Sequence, residues 1–123
     1  MSENKILIID DDPDILESIR AILISEKFTV ITALDGKEGF EKFKNEKPAL
    51  VLCDMMMERV DAGSKVAEMI RKEDKQIPLY LLSSIGNATA SNINVSELGF
   101  SGVLQKPVDP EVLIADIKKA LKL

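Results

Sequence analysis

Histidine is absent from these 123 residues and cysteine occurs once. Without histidine the commonest general base and metal ligand is missing, so any chemistry rests on carboxylates, hydroxyls and lysine. A lone cysteine excludes an internal disulfide and suits a reducing, cytoplasmic setting. That residue, Cys53, lies inside an apolar run and reads as a small buried hydrophobe rather than a reactive thiol. No apolar stretch reaches the length of a membrane span and no amino-terminal signal is present, so no membrane association is expected. No block of Lys or Arg offsets the 21 acids set against 16 bases. The resulting net charge of -5 argues against direct contact with nucleic acid and points to protein partners. Neither a G-x-G-x-x-G nor a P-loop pattern follows the first apolar run, which ranks nucleotide-binding folds low.

What is present is a regular alternation of strand-like and helix-like stretches. The length predicts one domain over residues 1–123, and 46% hydrophobic residues suffice for a core. Lys5 to Ile9 is branched and without polar alternation, the pattern of a strand buried on both faces. Asp12-Pro13 opens a helix with Ile15, Ile19, Ile22 and Leu23 on one face. Phe28 to Thr32 alternates apolar and polar and is expected as an edge strand. Asp35-Gly36 turns into a second helix with the stripe Gly39, Phe40 and Phe43. The run from Ala49 to Cys53 is the central strand, and Val66, Met69 and Ile70 mark a third helix. Leu79 to Leu82 and Gly102 to Gln105 predict the last two strands. Between them, Gly86 to Leu98 is rich in Asn, Ser and Thr, which compete with helical hydrogen bonding, so a short or mobile helix is expected there. Asp109-Pro110 caps a final helix carrying Leu113, Ile114, Ile117 and Leu121. Five strands alternating with five helices predict an α/β, doubly wound, flavodoxin-like (βα)5 fold. Its five-stranded parallel sheet should have the order 2-1-3-4-5.

Four of the five strand-like runs end in polar residues suited to phosphate or metal chemistry: Asp10-Asp11, Asp54, Ser83-Ser84 and Lys106. In such sheets the site lies beyond the carboxyl ends of the strands, where strand order reverses. There Asp10, Asp11 and Asp54 would converge, with Ser83 and Lys106 beside them. Clustered carboxylates repel one another and call for a cation. A hard divalent ion with oxygen ligands fits, and Mg2+, which keeps several waters, fits best. Asp54 is then the nucleophile toward phosphorus, Asp11 a direct metal ligand and Asp10 a ligand through water. Ser83 is a hydroxyl donor and Lys106 a counter-charge. Each residue also has a plainer reading: Asp10 to Asp12 as helix caps, Ser83 as a turn residue, Lys106 as a solvated lysine.

The stretches Lys5-Ile-Leu-Ile-Ile-Asp-Asp-Asp-Pro-Asp-Ile, Leu50-Val-Leu-Cys-Asp-Met-Met-Met, Ser83-Ser84 and Gly102-Val-Leu-Gln-Lys-Pro carry a resemblance. The chain is similar, over essentially its whole length, to the response-regulator receiver domain of two-component signalling. The resemblance implies that Asp54 accepts a phosphoryl group from the phosphohistidine of a sensor histidine kinase or phosphotransfer protein, using Mg2+, and that the domain then changes conformation. It implies that Asp10, Asp11, Asp54 and the backbone carbonyl of Met56 hold the metal, that Ser83 and Lys106 engage the phosphoryl group, and that Lys106-Pro107 is a candidate cis peptide. It also implies an output protein or homodimer contact on the face of the fourth helix, fifth strand and fifth helix. A chain ending on an amphipathic helix is expected of a stand-alone receiver, and a receiver cut from a longer protein would look the same.

Three positions depart from the family. Glu58 stands where it usually has proline, Ala62 where it usually has glycine, and Val103 where it usually has the Tyr or Phe that turns inward on activation. Without that ring, and with no charge between Lys75 and Glu97, phosphorylation is expected to order the segment from Ile85 to Ser96 instead. Two other readings compete. An interaction-only pseudo-receiver would usually lack Asp54 or Lys106, and both are present. A metal-dependent phosphohydrolase would carry a D-x-D pattern, and the residue two places after Asp54 is Met56.

Overall fold

Ile6, Leu7, Ile8 and Ile9 are all completely buried, and this sets the architecture. Successive side chains of a strand point to opposite faces, so four buried residues in a row require cover on both sides. A computed structural model, describing residues 4–54, 62–84, 100–106 and 108–122, supplies that cover. The elements in order are β1 (Lys5–Ile9), α1 (Pro13–Ser25), β2 (Thr29–Ala33), α2 (Gly36–Glu46), β3 (Leu50–Asp54), α3 (Ala62–Glu73), β4 (Leu79–Ser84), β5 (Gly102–Lys106) and α4 (Pro110–Leu121). All neighbouring strands are parallel, in the order β2-β1-β3-β4-β5, as the alternation predicts.

Two apolar layers flank the sheet. Leu7, Ile9, Val51, Cys53 and Leu79 face α2 and α3, where Phe43, Val66, Ala67 and Ile70 meet them. Ile6, Ile8, Leu50, Leu52 and Leu82 face α1 and α4, meeting Leu16, Ile19, Leu23, Leu113 and Ile117. The helix starts are fixed locally. Asp12, Asp35 and Asp109 each accept a backbone N–H of the first turn, and Pro13 and Pro110 take first-turn positions that need no donor. No described helix is long and apolar enough to cross a membrane.

Several boundaries differ from the sequence expectation. β2 begins at Thr29, because Phe28 is a buried core residue whose N–H donates to Leu23 O. Leu16, beside the expected Ile15, is the more deeply buried residue of α1's first turns, and Ile15 is half-buried. β4 and β5 run on to Ser84 and Lys106, because their ladder continues through Ser83 opposite Gln105 and Ser84 opposite Lys106. The helix expected within Gly86 to Leu98 and the ordering segment Ile85 to Ser96 lie outside the described residues. So do Met56, Glu58 and Pro107.

Candidate functional site

The carboxyl edge of the sheet collects the polar strand ends. Ile9 of β1 is the register partner of Cys53 in β3, so the next residues, Asp10 and Asp54, stand level on adjacent strands. On its other side Asp54 pairs with Leu82, the residue before Ser83. The backbones of Ser83 and Lys106 therefore continue the same edge on β4 and β5; their side chains lie outside the described part of the structure.

Asp10 has no solvent exposure, and Asp54, the last residue of β3, is 5% exposed; both are rare burials for a carboxylate. Asp11 is exposed. One carboxylate oxygen from each of the three lies within 4.8 Å of the others. The position of Asp10 is held at two points. Its N–H donates to Ala33 O of β2 at 3.1 Å, and its Oδ1 accepts the N–H of Asp12 at 2.9 Å. The same turn places Asp12 to cap α1, its Oδ1 accepting from Asp14 N–H. The capping reading of this acidic stretch thus applies to Asp12, while Asp10 and Asp11 are left to face Asp54.

Two buried carboxylates with a third beside them form a site that favours a cation. The donors are hard oxygens, supplied by three short side chains at or just after strand ends, which suits a small divalent ion that retains water. Cys53, immediately before Asp54, is fully buried, and its Sγ donates to Asp54 O at 3.7 Å. Burial above all, and then the charges of Asp54 and Asp10, push its thiol far up from the usual range. It is a packed hydrophobe, as its place in the strand implies.

The turn from β2 into α2 borders this site. Asp35 Oδ1 accepts the N–H of Glu38, and Glu38 Oε1 accepts the N–H of Leu34, both at 2.8 Å. This is a variant of the capping box in which Glu38 reaches back to the N–H of Leu34, one residue before the cap, signalled in sequence by the D-x-x-E spacing. Lys42 braces it, donating to Thr32 O at 2.7 Å and pairing with Glu38 Oε2 at 3.2 Å. The carboxyl of Glu38 is held below its ordinary range by the Leu34 N–H first and by Lys42 second. Neither the Ala33 carbonyl nor this box figures among the residues expected from sequence. On β5, Val103 sits opposite Leu81 in register and is 38% exposed.

Comparison with known proteins bears on the same residues. A family model described as the response regulator receiver domain matches residues 6–118. A protein of Porphyridium aerugineum named "Probable transcriptional regulator ycf27" is 35% identical over 122 residues, covering 99% of this chain and 50% of that protein. The chain thus spans about half the length of such curated relatives. Among solved structures, a response regulator receiver domain protein (CheY-like) from Methanospirillum hungatei superposes with a TM-score of 0.87 at 30% identity. The match covers 98% of this chain and 95% of that one. A putative response regulator from Chloroflexus aurantiacus gives 0.89 at 25% identity, covering 99% and 100%.

Proposed function

This chain belongs to the response regulator receiver family, and from that premise we propose that it is a phospho-accepting signalling switch with Asp54 as the acceptor. The observation that carries the reading is the convergence of Asp10, Asp11 and Asp54, two of them buried, at the carboxyl edge of the sheet. The donor is a phosphohistidine on a sensor kinase or phosphotransfer protein. An Asp54 oxygen attacks phosphorus in line with the departing imidazole nitrogen; the P–N bond breaks, an acyl phosphate forms, and the imidazole leaves with a proton from solvent.

Asp10, Asp11, Asp54 and the carbonyl of Met56 would hold Mg2+, which when bound neutralises charge on the phosphoryl oxygens. Asp10 is oriented for this by the Asp12 N–H, which occupies one of its oxygens. Ser83 on β4, next to the acceptor strand, and Lys106 on β5, one strand further out, are assigned to the phosphoryl group as hydroxyl donor and counter-charge. In this reading the domain stores a phosphoryl group, and loses it by its own hydrolysis, rather than turning over a free substrate.

The relatives' names describe transcriptional regulators. For this acidic domain, an output of that kind would pass through a partner or a further segment, because its net charge of -5 disfavours direct contact with nucleic acid. Contacts of this sort, or a homodimer, are assigned to the face formed by the helix expected between β4 and β5, by β5 and by the last helix, and a cytoplasmic setting is part of the same reading.

The test is intact mass after incubation with acetyl phosphate, with Mg2+ and with a chelator. A single phosphoryl adduct that requires the metal supports the switch. Continuous release of inorganic phosphate without an adduct would support a phosphohydrolase instead, and neither adduct nor release would support an interaction-only receiver.

A further inference from the structure

Leu34 is among the most solvent-exposed large apolar residues described, at 49%, and its place in the fold is specific. Ile9 and Ala33 are register partners, so the following residues, Asp10 and Leu34, stand level on neighbouring strands. Such strands are about 4.8 Å apart, which puts the Leu34 backbone within about 10 Å of the acidic cluster. Single exposed leucines are common and need no special account. Two observations separate this one from the ordinary case.

The first is its support. Leu34 N–H is bound by Glu38 Oε1, Glu38 N–H by Asp35 Oδ1, Gly39 N–H by Asp35 O, and Lys42 ties Glu38 to Thr32 O. The leucine is therefore presented from a hydrogen-bonded turn, and covering it would cost little in ordering of the loop. The second is what must come near it. Asp54 is 5% exposed at the base of the strand edge, so a phosphohistidine carried on a protein has to be brought down over the edge to reach it. A specific protein interface covers about 800 Å² on each side, a disc about 16 Å in radius. Any protein donor centred on Asp54 covers the turn at Leu34.

Resting on the proposed function, we infer that Leu34 is an apolar docking contact for the protein phosphodonor, one that sets the affinity of transfer without taking part in the chemistry. An apolar side chain inside the footprint is the kind of residue that anchors an interface, whereas the exposed Asp11 and the partly exposed Asp35 would fix orientation and exclude wrong partners.

The test compares two donors on the full chain and on Leu34→Ser and Leu34→Met. One donor is acetyl phosphate. The other is a purified phosphotransfer domain labelled on histidine, chosen from a panel as the one that labels the wild-type chain fastest. For Leu34→Ser, KM for the protein donor should rise about tenfold while labelling by acetyl phosphate is unchanged. Leu34→Met, apolar and of similar size, should restore transfer. Equal KM values for the wild type and Leu34→Ser with the protein donor overturn the inference. So does a parallel loss with both donors, because the leucine would then act on the acidic centre itself. A wild-type chain labelled by neither donor overturns the proposed function, and this inference falls with it.

Discussion

Gly39 of α2 lies directly on Ile9 of β1: a Cβ at position 39 would fall 2.5 Å from Ile9 Cδ1 and 2.7 Å from Cγ1. Ile9 is completely buried and cannot swing aside into solvent. Gly39→Ala is therefore expected to destabilise the fold by about 1–3 kcal/mol through overpacking, although alanine is the better helix former. Urea unfolding measures this, and an unchanged midpoint would contradict the packing described. Because Ile9 adjoins Asp10, the variant should also bind Mg2+ more weakly.

Asp54→Asn should abolish labelling by acetyl phosphate and leave the far-ultraviolet spectrum unchanged, since the nucleophile is lost while the side-chain volume is kept. Full labelling of that variant, seen by intact mass, would place the acceptor elsewhere.

Asp11 is the exposed member of the acidic trio, so its removal should cost little stability and act on the metal. For Asp11→Ala, Mg2+ affinity measured by calorimetric titration is expected to fall at least about tenfold. Lys106→Ala should leave that affinity largely in place and impair the response to phosphorylation. Equal Mg2+ binding by wild type and Asp11→Ala would mean that the ion is held by other groups.

Glu38 gives a prediction with a definite pH sign. Its folded-state pKa lies below the ordinary 4.5, chiefly because its carboxylate accepts the Leu34 N–H. The charged form is thus favoured by folding. Its stabilisation is complete above the ordinary value and is lost as pH falls through the lowered one. The Tm difference between wild type and Glu38→Gln should be largest near neutrality and shrink in acid below pH 4.5. A difference that is constant with pH would show that charge on Glu38 plays no part.

Cys53 is buried and its thiol is held protonated. Alkylation by iodoacetamide in native buffer should be slower than that of a free thiol by orders of magnitude and should follow global unfolding. Rapid native modification would mean that β3 opens locally.

The parts of this fold written in local signals were legible from sequence. Asp12-Pro13 and Asp109-Pro110 mark helix starts because a cap and a prolyl first turn need only neighbouring atoms. Uninterrupted branched residues mark β1 as doubly covered, and the polar alternation of β2 marks the edge strand. What sequence concealed depends on distant partners. The extension of β4 through Ser84 is decided by pairing with Gln105 and Lys106. The choice of Leu16 over Ile15 for the core follows from how α1 rotates onto the sheet. The acids at the strand ends could be named, but not the backbone carbonyl of Ala33 that holds Asp10, since a carbonyl has no residue type to announce it.

The adjacency of β1 and β3 has a kinetic meaning. Asp10 and Asp54 meet only because these strands pair, yet the whole of α1, β2 and α2 lies between them in the chain. Local units such as α1 with β2 can form early, but the acidic cluster cannot assemble until the long loop joining its two halves has closed. During refolding, Mg2+ should therefore leave early collapse untouched and act on the unfolding limb alone, as a ligand that recognises only the finished chain.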